Sequence, residues 1–260
     1  MFVKETDQVG GIIYYTDNRA REPILAVVQE ILTKISQKRG LDISSCSLKP
    51  IEFGRNIVLE NRERSYPTMV RQIIMALENS SADYVFFCEN DVLYHESHFD
   101  FEPVEPDVFY YNLHVWRWRL WDDKAITYER MIPLSSLCVG REHALAHYKF
   151  REQKIYEWGL DEFRSREPRR ARIWGYEPGT KSTKRGGFSD EKMGVWFSDF
   201  PNIDIRHART FSRLKCTAAD FTHPPANWQE IPILDVPGWN LLEVFPGPQM
   251  DYLRTKCTEW

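Results

Sequence analysis

Several features that would assign a protein to a class at once are missing from this sequence. The five cysteines are far apart and odd in number, and no C-x-x-C pair occurs, so a zinc knuckle and a disulfide scaffold are both disfavoured. No apolar run approaches the roughly 18 residues that span a bilayer, and residues 1–11 hold no apolar segment typical of a secretion signal. These absences predict a cytoplasmic protein without a membrane span.

An excess of charge of one sign is also missing. The net charge is −4, although 28% of the 260 residues are charged. Proteins that bind nucleic acid or a membrane surface through their overall charge carry a basic surplus, which this chain lacks. Hydrophobic residues make up 42% of the sequence, enough for one sizeable core. Since neither repeats nor a clean linker are visible, we predict a single domain over residues 1–260.

The first hundred residues alternate between strand and helix patterns. Residues 12–16, 41–48 and 84–88 are β-rich runs that predict three strands. Residues 23–40 carry apolar side chains at helical spacing between a proline and a glycine, and residues 65–81 show the same spacing. The β-α-β-α-β order predicts a parallel sheet with right-handed crossovers. Ligands of such sheets bind beyond the carboxyl ends of the strands.

Polar residues follow each of the three predicted strands, so we expect them to meet at one edge of the sheet. They are Thr16, Asp17 and Asn18 after the first strand, Lys49, Gly54, Arg55 and Asn56 after the second, and Glu89, Asn90 and Asp91 after the third. In an extended segment residues 89 and 91 point to the same side. Their carboxylates are the oxygen ligands that a hard divalent cation prefers, and an imidazole from His207 would complete the shell. The alternative is that the acids cap a turn and that His207 lies on the surface.

The second half has a different pattern, with antiparallel strands in place of the βα alternation. Residues 107–134 predict two or three antiparallel strands with a turn near residue 122, and residues 141–158 predict a helix. Residues 203–206 predict a short strand, whereas the Pro- and Trp-rich residues 224–248 predict irregular structure.

One predicted strand of this half alternates between basic and aromatic side chains. Val115, Arg117 and Arg119 fall on one face, and Trp116, Trp118 and Leu120 on the other. The simpler interpretation is a half-buried strand, and the sharper one is an aromatic floor for a sugar or a base.

Three of these features together resemble the GT-A glycosyltransferases of the family 2 kind: the N-terminal GIIYYTDN, the β-α-β-α-β half, and YVFFCEND at the end of a strand. The resemblance implies an α/β fold, namely a GT-A (Rossmann-like) mixed sheet flanked by helices with an elaborated C-terminal half. Residues 10–112 would form the nucleotide-sugar-binding half, and residues 113–260 the acceptor-side half.

The same resemblance implies roles for particular residues. The acid-x-acid motif, here Glu89-Asn90-Asp91, would bind Mn²⁺ or Mg²⁺ and hold the diphosphate of a nucleotide sugar, most simply a UDP-sugar. His207 would be a later metal ligand, and Asp91 is the safer ligand of the two acids because this copy begins with Glu. Thr16, Asp17 and Asn90 would lie near the nucleotide. Arg19, Lys49 and Arg55 would contact phosphate or base.

An inverting hexosyltransferase needs a general base that deprotonates the acceptor hydroxyl. In similar enzymes this acid follows the metal motif by some 80 to 90 residues. Glu177 lies 86 residues after Asp91 and is flanked by the turn residues Gly175 and Pro178. Asp161, or Glu162 beside it, is the competing assignment, and a surface turn is the structural alternative for Glu177.

Other functions remain open at this point. Residues 164–185 hold eight basic residues and two acids, which would suit a solvated loop, a diphosphate, or a nucleic-acid acceptor such as a hydroxymethylated base in DNA. His95 and His98 would serve packing or hydrogen bonding rather than zinc binding. The acceptor would otherwise be a glycan or another hydroxyl-bearing molecule. Alternatives are a metal-dependent nuclease or phosphotransferase, and a non-catalytic carbohydrate- or nucleic-acid-binding module.

Overall fold

The computed structural model describes residues 8–157, 192–210 and 215–258. Within them the chain forms two sheets and five α-helices. The strands are β1 (Gly10–Thr16), β2 (Asp42–Ser47), β3 (Arg55–Val58), β4 (Tyr84–Glu89), β5 (Val92–Leu93), β6 (Phe109–Asn112), β7 (Val115–Arg119), β8 (Lys124–Thr127), β9 (Leu137–Gly140), β10 (Met193–Trp196), β11 (Asn202–Arg206) and β12 (Gln229–Pro232). The helices are α1 (Ile24–Arg39), α2 (Tyr66–Glu78), α3 (Arg141–Glu157), α4 (Leu241–Val244) and α5 (Gly247–Lys256).

The first two helices begin and end where their sequence signals lie. α1 ends at Gly40, whose φ of 68° is the left-handed conformation that glycine adopts without strain. α2 begins after Ser65, whose hydroxyl accepts a hydrogen bond from the backbone N–H of Thr68, and Pro67 stands in its first turn. Both helices bury one apolar face, which fixes them against the sheet.

The first sheet has seven strands in the order β10-β6-β9-β4-β1-β2-β3. The four strands from β3 to β4 are mutually parallel, whereas β9 runs antiparallel to both β4 and β6, and β10 runs parallel to β6. One face of this sheet packs on α1 and on the second sheet, and the other packs on α2 and α3. A mixed sheet flanked by helices, as predicted, is therefore confirmed.

The second sheet has the order β12-β8-β7-β11-β5 and is amphipathic. On β7 the side chains of Trp116 and Trp118 are 7% and 0% exposed and belong to the hydrophobic core. The two buried tryptophans therefore do not form an aromatic floor, and the strand is buried more completely than the half-buried strand that was expected, since only Arg117 is partly exposed. The opposite face of β7 carries Arg117 and Arg119, which take part in ion pairs.

The two predicted halves exchange strands. β5 comes from the first half but pairs with β11 in the second sheet, while β9 and β10 come from the second half and extend the first sheet. The tail that was expected to be irregular contains β12, α4 and the start of α5. In the part of the chain that the structure describes, no helix combines the length and apolar character needed to cross a membrane.

Candidate active site

The carboxyl ends of β1 and β4 meet around Thr16, as the parallel order predicts. The Thr16 hydroxyl accepts hydrogen bonds from Asn90 Nδ2, at 2.6 Å, and from the backbone N–H of Asn18, at 3.0 Å. From α2, Gln72 Nε2 donates to the Thr16 carbonyl oxygen at 2.7 Å. Two strands and one helix therefore fix the loop that follows β1.

Glu89, the last residue of β4, is a buried carboxyl group whose ionised form is disfavoured. Its Oε1 accepts a hydrogen bond of 2.6 Å from the hydroxyl of Tyr15. Burial is the main cause that raises the pKa of Glu89 to about 8, and the neighbouring carboxylate of Asp91 raises it further. A protonated carboxyl group is a poor cation ligand, so Glu89 would have to lose this proton before it could bind a metal ion.

Asp91 faces His207, although 116 residues separate them in the sequence. The Asp91 carbonyl accepts a hydrogen bond of 2.8 Å from the N–H of Ile205, which brings the end of β11 beside the turn after β4. As a result Asp91 Oδ2 lies 3.4 Å from His207 Nε2. Both residues are buried, and His207 Nε2 makes no hydrogen bond to any described residue. A carboxylate and an unsatisfied imidazole nitrogen thus point into the same space.

This pair fits a divalent cation that keeps positions for water and phosphate. Among the described residues no three His, Cys, Asp or Glu side chains gather around one point, so a closed structural metal site is excluded there. Mn²⁺ and Mg²⁺ are bound by few protein groups together with water and substrate oxygens. The N–H of Arg209 donates to His207 Nδ1 at 3.2 Å, which places the ring proton on Nε2. Cation binding at Nε2 would use the other neutral tautomer, in which the ring proton lies on Nδ1 and the Arg209 N–H no longer donates there.

A cavity of about 340 Å³ opens beside Asp91 and His207. Thr16, Asp17, Glu89 and Asn90 line it, so the structure brings together most of the sequence-predicted site. The lining also includes the charged residues Arg64, Arg117, Asp204, Arg206 and Arg209, and apolar residues such as Met69, Ile132 and Leu134. The cavity therefore combines charged and apolar side chains.

The basic residues of the cavity are not those expected from the sequence. Arg19, Lys49 and Arg55 are exposed and do not belong to the described cavity lining, and Arg55 is paired with Asp42. Their side chains follow the strand ends in sequence but turn outward to solvent.

Arg64, which lies two residues before α2, is a basic residue that does line the cavity. It forms an ion pair of 2.5 Å with Asp17 and donates from Nη2 to the carbonyl oxygen of Arg209 at 2.8 Å. The sequence signal that could have identified Arg64 was its position in a polar stretch two residues before a helix. The amino end of a helix that follows a parallel strand lies at the edge of the sheet where ligands bind.

The polar face of the second sheet adds a buried ion network to the cavity wall. Asp204 on β11 is 4% exposed and pairs with Arg206 and, at 3.5 Å, with Nε of Arg117. Parallel pairing places Asp204 opposite Arg117 in the ladder between β11 and β7. The guanidinium group of Arg206 is thereby held near Asp91 and Glu89.

Several predicted residues lie elsewhere. Glu177, Asp161 and Glu162, together with the basic residues 164–185, lie outside the described residues. His98 is fully buried, and its Nδ1 contacts the side-chain amides of Asn112 and Asn202 at 3.0 and 3.1 Å. Burial lowers the pKa of His98 to about 3, so it is a neutral packing residue.

No protein-family model matches the sequence, and no curated protein matches it. The fold is similar to that of a glycosyltransferase involved in glycosylation of the major capsid of PBCV-1, with a TM-score of 0.36 and 10% identity over 62% of this chain and 80% of that chain. Drosophila β-1,4-galactosyltransferase 7 is also similar. Its mutant complex with manganese, UDP-Gal and xylobiose has a TM-score of 0.35 and 14% identity, over 58% of this chain and 63% of that chain. The structure of its catalytic domain with xylobiose has a TM-score of 0.35 and 14% identity, over 55% of this chain and 52% of that chain. Because these TM-scores are low, the functional proposal below is based on the geometry of the cavity.

Proposed function

We propose that this protein is a divalent-metal-dependent glycosyltransferase that moves a hexosyl group from a UDP-sugar to an acceptor hydroxyl. The observation that carries the proposal is the buried pair of Asp91 and His207 at the carboxyl edge of a parallel sheet, facing a cavity of about 340 Å³. Ligand cavities of this size and position hold small molecules that carry phosphate groups in many α/β proteins.

The charges of the cavity suit a nucleoside diphosphate leaving group. Asp91 and His207 would hold Mn²⁺ or Mg²⁺, which would supply positive charge for the departing diphosphate. Arg64 and Arg209 line the same end and supply further positive charge without a change in protonation. Thr16, Asp17 and Asn90 border the nucleotide, where their hydrogen-bonded order limits the positions that a base and ribose can take.

The remaining chemistry is deprotonation of the acceptor. We assign this step to Glu177, with Asp161 as the competing residue, and expect inversion at the anomeric carbon. The acid accepts the proton of the acceptor hydroxyl as the oxygen attacks the sugar and the glycosidic bond to phosphate breaks. A metal-dependent nuclease uses several acids that converge on its ions, and no three His, Cys, Asp or Glu side chains converge in the described part of the chain, so it is the weaker alternative.

The direct test is incubation with UDP-glucose, UDP-galactose and UDP-N-acetylglucosamine in the presence of Mn²⁺, followed by measurement of UDP release. We expect release from at least one donor, loss of release on chelation by EDTA, and thermal stabilisation by UDP only when Mn²⁺ is present. Absence of both UDP release and Mn²⁺-dependent UDP binding would refute the proposed function.

A further inference from the structure

A cluster of three aromatic side chains lies on the second sheet, outside the lining of the cavity. The rings of Tyr128 and Trp228 are nearly parallel, with 3° between their planes and 5.7 Å between their centroids. Phe221 stands edge-on to both, at 5.2 Å from Tyr128 and 6.2 Å from Trp228. All three side chains are half-buried, so they retain surface that a ligand can reach. We call this cluster the aromatic platform.

Strand pairing produces the platform. Thr127 on β8 pairs with Gln229 on β12, so Tyr128 and Trp228 stand side by side at the end of this ladder. The N–H of Glu129 donates to the carbonyl oxygen of Ala226 at 3.0 Å and holds the two segments together beyond the ladder. The parallel rings are therefore fixed by the backbone rather than by chance contact of mobile side chains.

Arg117 connects the platform to the cavity. Its Nη1 donates a hydrogen bond of 2.8 Å to the hydroxyl of Tyr128, and its guanidinium lies over the Tyr128 ring at 5.5 Å. The same side chain lines the cavity and pairs with Asp204. A molecule that extends from the cavity along the polar face of the second sheet would next meet the platform.

Polar groups surround the rings. The ammonium group of Lys215 lies over the Phe221 ring at 5.1 Å, and Asn227 Nδ2 donates to Glu129 Oε2 at 3.1 Å. A lipid chain would be matched by a continuous aliphatic surface, which this rim interrupts. A sugar presents an apolar C–H face and a circumference of hydroxyls, and so matches an aromatic ring with charged and amide neighbours.

We propose that Tyr128, Phe221 and Trp228 form a carbohydrate-binding subsite that holds a glycan acceptor beside the cavity. Its role as an acceptor subsite rests on the proposed function, whereas carbohydrate binding by the platform does not. The chemical class of the acceptor is therefore an oligosaccharide, with a sugar ring stacked on Trp228 and hydroxyls bound at the rim. The reacting hydroxyl lies toward Arg117 and the cavity.

The test measures binding of cellotetraose, xylotetraose, chitotetraose and maltotetraose to the whole protein by tryptophan fluorescence and by saturation-transfer NMR. We expect at least one tetrasaccharide to bind with a millimolar or lower Kd and Trp228→Ala to weaken it by about tenfold, as loss of one ring contact implies. Trp228→Phe, which keeps a ring, should restore most of the binding. Trp121→Ala is the matched control, since Trp121 is 42% exposed in the turn that joins β7 to β8.

Thermal stabilisation by UDP with Mn²⁺, measured on the same samples, separates the two proposals. Stabilisation that is unchanged in Trp228→Ala, together with weakened tetrasaccharide binding, would support the subsite. Failure of every tetrasaccharide to bind the unaltered protein, or equal weakening by Trp121→Ala, would overturn it. Tetrasaccharide binding together with absence of both UDP release and Mn²⁺-dependent stabilisation by UDP would retain the platform and refute the transferase.

Discussion

Two walls of the cavity are stabilised by different interactions. The first wall lies at the edge of the first sheet, and the second wall is the polar face of the second sheet. At the edge of the first sheet, neutral groups are ordered by hydrogen bonds, with Asn90 and Gln72 both donating to Thr16. On the polar face of the second sheet, buried charges are ordered by ion pairs around Asp204. Loss of one hydrogen bond between neutral groups changes stability by about 1 kcal/mol, whereas removal of one partner from a buried ion pair leaves an uncompensated charge. The first wall is therefore tolerant of substitution and the second is not.

Asp91 and His207 join these walls, because Asp91 follows β4 and His207 follows β11. We expect Asp91→Asn and His207→Ala each to reduce transfer by about a thousandfold, since the leaving diphosphate would lose the charge of the cation. Thermal stabilisation by UDP with Mn²⁺ should vanish in both variants, which differential scanning fluorimetry can measure. Asp100→Asn is the control: Asp100 is an exposed partner of Arg39 and should leave both measurements unchanged. Retained stabilisation in both variants would remove the cation from this pair.

Glu177→Gln tests the deprotonation of the acceptor hydroxyl, a step to which neither wall contributes a residue. Removal of a general base lowers turnover by about 10² to 10⁴-fold, so we expect loss of transfer with intact binding of UDP and Mn²⁺. Single-turnover assays together with scanning fluorimetry distinguish the two effects. Asp161→Asn is the matched variant, and normal turnover in Glu177→Gln with loss in Asp161→Asn would move the role to Asp161.

Asp204→Asn tests the difference in tolerance directly. The substitution leaves two buried guanidinium groups, those of Arg117 and Arg206, without their carboxylate, and should lower the free energy of unfolding by about 3 kcal/mol. Asn90→Ala removes the hydrogen bond from Asn90 Nδ2 to the Thr16 hydroxyl in the first wall and should cost about 1 kcal/mol. Urea denaturation of the two variants measures both values. Equal losses would contradict the distinction between the walls.

The first wall could be predicted from the sequence because its signals are local. Each parallel strand is followed directly by its polar residues, so strand order alone brings Thr16 and Asp91 to one edge. The sequence could not show that Arg19, Lys49 and Arg55 do not line the described cavity, because the outward or inward direction of a loop side chain depends on tertiary contacts. Arg55, for example, turns toward Asp42 on the neighbouring strand.

The second wall could be predicted only in part. Alternation along β7 correctly separated Arg117 from Trp118, but it could not show that Asp204 lies opposite Arg117, since their pairing joins residues far apart in the sequence. The platform was missed for the same reason: Tyr128 and Trp228 are one hundred residues apart and become neighbours only when β12 pairs with β8. A Pro- and Trp-rich segment gives no periodicity that would indicate a strand.

Glu89 sharpens the comparison further, because it is a titratable carboxyl group beside the hydrogen-bonded Thr16 and Asn90 of the first wall. Its pKa is raised from 4.5 to about 8, so the folded protein holds a proton that the unfolded chain releases between these values. The free energy of unfolding should therefore fall as pH rises from about 4.5 to 8. Glu89→Gln keeps the oxygen that accepts from Tyr15 and removes the titration, so its advantage over the unaltered protein should grow across this interval.

We expect that advantage to reach about 2 kcal/mol at pH 8, less than the full shift implies because Glu89 keeps some contact with solvent. Urea denaturation at pH 5, 6.5 and 8 would measure it, with Asp42→Asn as a control whose difference from the unaltered protein should stay nearly constant over the same range. A constant difference for Glu89→Gln as well would show that Glu89 is already ionised at neutral pH. The first wall would then hold charge as the second does, and Glu89 would be available to the cation without release of a proton.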